Sequence, residues 1–278
     1  MTVAVVTDAS AAIGADRMRS EGLFVLPLHI LTKHGEIIDD GSPIPAEAFV
    51  AEGITTSGPS PAEVRQVLES AAAAGGEDGV VAVTMSTHLS STYSTTSVQA
   101  AELGAPITVI DSRRIDMAMG FGVLEAARAA RAGADRDAVA AAARAVVTEA
   151  EGFFCAATLE HLRAGGRVSA VAALLGGALS IVPVLRLGDD GRIETVRKTR
   201  TVRRARDQVA TLAAAHAGEA PTRMAVHHVG VPDAADALAD LLRERVPDLQ
   251  DLVVGPFGGT ISAHLGPGAV GVSVAPCR

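Results

Sequence analysis

The sequence predicts an α/β protein of two domains. An N-terminal Rossmann-like domain with a parallel sheet is expected over residues 1–152. A C-terminal α/β domain with a mixed sheet is expected over 153–278, with a ligand tunnel between or alongside the two. Three observations carry this reading. From residue 3 to residue 150, short β-branched runs alternate with polar loops and with alanine-rich or amphipathic stretches, which is the pattern of strands covered by helices. Further on, Gly188-Asp189-Asp190-Gly191 lies between two apolar runs and reads as a hairpin, which brings antiparallel pairing into the second half. Between these, residues 80–92 (VVAVTMSTHLSST) form an apolar run that ends in a burst of hydroxyls.

Taken in order, residues 3–7 make the first strand, with Asp8 at its end. Residues 11–21 suit a helix, and the almost wholly apolar 23–31 returns as a strand, a β-α-β start that implies parallel pairing. A turn at 33–36 and the pair Ile37-Ile38 follow, and Pro43 and Pro45 open a helix through Phe49. Residues 55–60 are a hydroxyl-rich loop. Ser60, Pro61 and Glu63 form a capping box with proline at the first helical position, and Val64, Val67, Leu68 and Ala71 line one face of the helix that starts there. Residues 80–85, bounded by Gly79, read as a buried parallel strand leading to a helix that starts near Ser90 and ends near Leu103. Residues 107–110 are a further strand ending in Asp111-Ser112, 117–131 an alanine-rich helix, and Asp135 caps another helix to Ala150. Beyond a strand at 153–158, Gly165-Gly166 ends a short helix and Ser169 begins the next, through Leu175. The hairpin strands at 180–187 and 192–198, a helix at 202–216, a strand at 224–229, a helix at 234–245 and a strand near Val253 complete the α/β pattern. The segment 258–268 is dense in glycine, which lets backbone approach a partner closely.

Composition narrows the function. With 278 residues the chain can bury a large core. Its 24 Lys and Arg against 32 Asp and Glu give a formal charge of -8, and it has one Tyr and no Trp, a poor outfit for general nucleic-acid binding. Cys155 and Cys277 provide neither a disulfide framework nor zinc-ligand spacing, so a reducing compartment is expected. The first residues, MTVAVVTDAS, carry no basic group ahead of the apolar run and read as a strand rather than a signal peptide. The longest apolar stretch, 171–185, is broken by Gly176, Gly177, Ser180 and Pro183 and is shorter than the roughly 20 residues a membrane span needs. A soluble, cytoplasmic protein is therefore expected. Its mean hydropathy of +0.30 is high for one, which suits a thick core or an apolar cavity. Neither G-x-G-x-x-G nor G-x-x-x-x-G-K-[ST] occurs, and Gly120 and Gly122 do not substitute for them.

In parallel sheets, ligands bind at the carboxyl ends of the strands. Asp8, residues 86–90 and Asp111-Ser112 share that rim. A strand running into a hydroxyl-rich helix start offers N–H groups, the positive end of a helix dipole and side-chain donors, a combination suited to a carboxylate or a phosphate. One hydroxyl, Ser90 or Ser91, suffices to cap the helix, whereas Ser86, Thr87, Ser90, Ser91 and Thr92 exceed that need. Asp8 either orients the site or caps the next helix. Thr56 is by itself an ordinary loop hydroxyl, and His227-His228 alternate along a strand and read as structural. The basic run Arg192, Arg197, Lys198, Arg200, Arg203, Arg204, Arg206 is a solvated face or a surface that steers an anionic partner.

The chain resembles the DegV family of bacterial fatty-acid-binding proteins, the lipid-carrying subunits of fatty acid kinase. The motifs that carry the resemblance are VTDAS (6–10), TTSGPS (55–60), STHLSST (86–92), IDS (110–112), AGGRVS (164–169) and AHLGPG (263–268), in the family's order. Two positions depart from it: Ala9 stands where Ser is usual, and Ser91 where Gly is usual. The resemblance implies a fatty acid with its acyl chain buried and its carboxylate held by Thr56, Ser90 and His264, with Asp8, Ser86 and Ser91 as possible support. It implies no cofactor beyond that ligand. It also implies a partner kinase that uses ATP to make an acyl phosphate, with Arg167 at a family position near the partner surface, so that this chain presents substrate without catalysing; Arg200, from the basic run, is expected to join Arg167 on that docking surface. Tunnel walls are expected from residues 171–175 and 26–30. The alternatives are a serine-dependent acyl ester hydrolase built on Ser90, His264 and Asp8 or Asp111, against which stands the lack of a G-x-S-x-G elbow, and a carrier of another hydrophobic carboxylate.

Overall fold

The computed structural model describes residues 2–50, 53–167 and 181–277. Strand β1 (Ala4–Asp8) is followed by a 3-10 turn at Ala9–Ala11 and the short helix α1 (Ala15–Ser20). The single helix expected over 11–21 is interrupted because Ala12 and Gly14 take positive φ (52° and 83°). The apolar run 23–31 is not one strand but two, β2 (Phe24–Leu26) and β3 (Leu28–Thr32), which belong to different sheets. Pro27 separates them: it has no N–H to give to a ladder and leaves the chain free to change direction. Next come β4 (Gly35–Asp39), a 3-10 turn (Ala46–Phe49) in place of the expected helix, and β5 (Thr55–Ser57), a strand where a loop was expected. Strand β3 pairs antiparallel with both β4 and β5 in a three-stranded sheet the sequence did not announce.

Helix α2 (Pro61–Gly75) begins with the expected capping box at Ser60 and Glu63. It is followed by β6 (Val80–Thr84), α3 (Thr92–Leu103), β7 (Ile107–Asp111), α4 (Asp116–Arg131) and α5 (Arg136–Glu149), the last capped by Asp135. Strands β2, β1, β6 and β7 pair in that order, all parallel. Strand β8 (Glu151–Cys155) opens the second sheet, and α6 (Glu160–Ala164) ends before Gly165-Gly166. The helix expected from Ser169 lies outside the described residues. The hairpin β9 (Val182–Leu187) and β10 (Ile193–Thr199), helix α7 (Val202–Ala217), β11 (Thr222–His228), α8 (Pro232–Arg245) and β12 (Leu249–Pro256) fall close to the expected spans. The glycine-dense segment is a helix, α9 (Gly259–Leu265), and the chain then adds an unforeseen strand, β13 (Val270–Pro276). That strand lies at the centre of a mixed six-stranded sheet ordered β10-β9-β8-β13-β11-β12. An α/β architecture with one parallel and one mixed sheet is therefore observed.

Helix α4 packs against β1 and β6 on one side and β8 and β13 on the other. Its close packing explains two glycines that carry no nucleotide motif. A Cβ at Gly120 would lie 2.5 Å from the Ala11 carbonyl oxygen, and one at Gly122 would lie 2.4 Å from Val147 Cγ1 on α5. Arg114, just before α4, is 5 % exposed. Its guanidinium donates from Nε to the Val147 and Ala150 carbonyls (3.2 and 2.7 Å) and from Nη1 to those of Leu187 and Gly188 (3.4 and 3.0 Å). The C-terminus of α5 is thereby tied to the β9–β10 hairpin, and a cation at a helix C-terminus is favourable in itself. Gly120→Ala is expected to destabilise the protein by about 1–3 kcal/mol, since the new methyl meets backbone that cannot rotate away. A urea midpoint equal to wild type would contradict this packing account.

Candidate functional site

The small three-stranded sheet brings β5 beside α9. There Thr56 Oγ1 and His264 Nε2 are hydrogen-bonded at 2.7 Å, across 208 positions of sequence. Helix α9 is anchored at its start by Asp39, the last residue of β4, whose Oδ2 accepts from the Thr260 N–H at 2.6 Å. Asp39 is fully buried, and no sequence feature marked it. The His264 ring lies against Gly165: a Cβ there would come within 2.2 Å of Nδ1. That nitrogen is buried and has no hydrogen-bond partner among the described residues. Burial, with Arg167 and His161 nearby, lowers the His264 pKa to about 4, so the ring is neutral at pH 7.

Ser90 reaches the same place from the opposite side. Its Oγ shares a hydrogen bond with Thr92 Oγ1 (2.8 Å) and accepts from the Thr92 N–H (3.3 Å). Gly58, just past β5, fits against this pair, since a Cβ on it would stand 3.2 Å from Ser90 Oγ and 3.3 Å from Thr92 Oγ1. Ser91 is the N-cap of α3, yet its side chain makes no capping bond, which leaves the first N–H groups of that helix without a side-chain acceptor from the cap.

Thr56, Ser90 and His264 all line one cavity of about 90 Å³. Its walls include Leu28, Ile115, Phe153, Phe154, Leu187 and Ile261. Of the wall expected from residues 26–30 only Leu28 contributes, while Leu26 and Ile30 sit in other core clusters. Residues 171–175 lie outside the described residues. Ser90 and Arg167 also border a more polar outer hollow together with Thr87, Ser91 and Arg192, so the cavity's polar end faces outward. Arg167 donates from Nε to the Leu89 carbonyl (3.2 Å), which holds it beside the hydroxyl loop.

The remaining expected residues have other partners. Ser86 is buried and donates to the Gly191 carbonyl (2.8 Å) in the β9–β10 turn, and it is not among the lining of the cavity. Asp8 is fully buried, is not among the residues lining the cavity, and takes the capping role of the two weighed for it. It caps the 3-10 turn through Ser10 and accepts from the Met85 N–H (2.7 Å), tying the ends of β1 and β6 together. Burial, outweighing these donors, raises its pKa to about 6. Arg200 is exposed in a separate hollow with Arg197, Lys198 and Arg204. Asp111 accepts from Thr87 Oγ1 (3.0 Å) and the Arg113 N–H (2.9 Å). No serine–histidine–carboxylate relay forms among the described residues: His264 is bonded to Thr56, and neither Asp8 nor Asp111 is its partner.

A mixed α/β chain whose apolar-walled cavity carries hydroxyls and an imidazole at one end has the lining that suits a hydrophobic molecule with a polar head. The comparisons narrow the class. The family model described as "Uncharacterised protein, DegV family" matches residues 2–277, and this chain belongs to the DegV family. It is 40 % identical over 281 residues to a DegV domain-containing protein of Streptomyces coelicolor, covering 98 % of each chain. Among solved structures it resembles the fatty-acid-binding DegV family protein of Thermus thermophilus (TM-score 0.90, 29 % identity, 100 % of each chain). It also resembles the fatty-acid-binding DegV family protein of Streptococcus agalactiae (TM-score 0.88, 27 % identity, 100 % of each chain). Among the described residues no helix is long and apolar enough to cross a membrane, and no group of His, Cys, Asp and Glu is arranged to hold a metal ion.

Two outcomes test the site geometry. By NMR, His264 is expected to titrate near pH 4 in the unliganded protein. Because this lies below the unfolded value of 6.5, the group costs the fold stability as pH falls from 6.5 towards 4, where only the unfolded state takes up the proton. A His264 titration at 6.5 would contradict the burial argument. Gly165→Ala is expected to displace the imidazole and weaken head-group binding at least tenfold with little loss of fold, measured by ligand titration beside circular dichroism.

Proposed function

We propose that this protein binds a long-chain fatty acid, with the acyl chain in the cavity and the carboxylate at Thr56, Ser90 and His264, and presents it to a partner kinase for ATP-dependent acyl phosphate formation. The observation that carries the reading is the convergence of those three side chains, from three separate elements, on the polar end of an apolar-walled cavity. Fatty acid binding by the Thermus thermophilus and Streptococcus agalactiae relatives supports the choice of ligand.

The hydrogen bonds suit an anion. With the proton of neutral His264 on Nε2, the ring donates to Thr56 Oγ1 and turns the threonine's own proton outward. Thr92 likewise supplies Ser90 Oγ with donors and leaves the serine proton for the ligand. Two hydroxyls and the α3 N–H groups that follow Thr92 then replace the water a carboxylate loses on burial, which without partners would cost several kcal/mol. Each buried CH2 contributes about 0.8 kcal/mol, so affinity comes from the chain and orientation from the head. The chain makes no catalytic contribution in this reading. An acyl ester hydrolase would need His264 to activate Ser90, and its Nε2 is held by Thr56 instead.

Native mass spectrometry of the purified protein, followed by denaturing extraction, is expected to give a stoichiometric long-chain fatty acid that a Ser90→Ala/His264→Ala double variant loses. An empty protein that takes up no added fatty acid would overturn the reading, and Ser90-dependent turnover of chromogenic acyl esters would replace it with the hydrolase. For the partner step, reversing Arg167 and Arg200 together to Glu is expected to abolish kinase-dependent acyl phosphate formation while lipid stays bound. Unchanged phosphorylation would remove both arginines from the docking surface.

A further inference from the structure

The cavity wall is not uniformly apolar beyond its mouth. Asp116 and Ser273 both line it. Asp116 opens α4 with φ at 59°, and its carboxyl pairs with His227 Nδ1 (2.6 Å) and accepts from Ser273 Oγ (2.8 Å). Asp116, the most exposed of the three, is only 7 % exposed. Thr260 lines the same cavity one helical turn before His264. Its Oγ1 is buried and has no hydrogen-bond partner among the described residues. The two places are linked through Phe257, three residues before Thr260, whose ring meets that of His227 edge-on at 5.6 Å. Arg114, also on this wall, is engaged by four backbone carbonyls and by the Asp189 carboxylate at 3.8 Å.

Cross-linking α4 to β11 and β13 accounts for part of the cluster, but not for all of it. A carboxyl group has about four lone-pair positions, and two are used here. A plain methylene chain laid against this wall would leave the rest, and the Thr260 hydroxyl, facing hydrocarbon, an arrangement buried polar groups avoid. A hydroxyl on the chain suits either group, since it can donate to Asp116 and accept from Thr260. Building on the fatty-acid reading, we infer that the preferred ligand is a fatty acid bearing a hydroxyl group on its acyl chain, with Asp116 and Thr260 as specificity-determining residues.

The test compares a saturated 18-carbon acid with its monohydroxylated positional isomers on delipidated protein, scored as the affinity ratio within each variant. At least one hydroxylated isomer is expected to bind tenfold or more tightly than the parent acid. The ratio is expected to collapse towards one in Asp116→Gly, where glycine keeps the positive φ, and in Thr260→Val, which leaves the α4 cross-link intact. Tight binding of the parent acid with no isomer preferred would overturn this inference and leave the fatty-acid reading standing. Failure of every acid to bind would overturn both.

Discussion

Helix α4 is the constraint the rest of the structure obeys. Thirteen of its sixteen residues are buried, because it is packed between the parallel sheet on one side and the mixed sheet on the other. Only its last turn, at Arg128 and Arg131, reaches solvent, so the rest carries mostly small and apolar residues, and its buried Glu125 is paired with Arg128. Its entry residues are fixed in turn: Arg114 by carbonyls from two elements, Asp116 by β11 and β13. Residues at the start of α4 therefore become wall of the cavity, and the cavity is a consequence of how two sheets share a helix.

The hydroxyl-rich turn after β6 divides its labour sharply. Ser86 and Thr87 spend their hydroxyls holding the loop to the β9–β10 turn and to Asp111, while Ser90 and Thr92 form a pair that faces the cavity mouth. Ser112 plays a similar structural part, donating to the Thr84 carbonyl at 2.7 Å. The loop is rigid because half of its polar groups are internal, and that rigidity positions the other half. The same logic holds for His264, whose short helix is set by the buried carboxyl of Asp39 and whose ring is set by the absence of a side chain at Gly165.

By itself the sequence determined the alternation of strand and helix, the capping box at Ser60, the cap at Asp135, the 188–191 hairpin and the hydroxyl-rich end of β6. All are local: each depends on a residue's own backbone preference or on neighbours within one or two turns. Candidates such as Thr56 and His264 were legible only through resemblance, since a loop threonine and a histidine among glycines carry no local signal of their own. Tertiary structure alone decided that Pro27 splits one apolar run between two sheets and that the glycine-dense tail is a helix followed by a central strand. It also decided that Thr56 and His264 meet, and that Asp39, Gly165 and Thr260 matter. The physical reason is distance along the chain. A hydrogen bond across 208 residues, or a glycine needed to admit a ring from a remote helix, is specified by packing that no window of sequence contains.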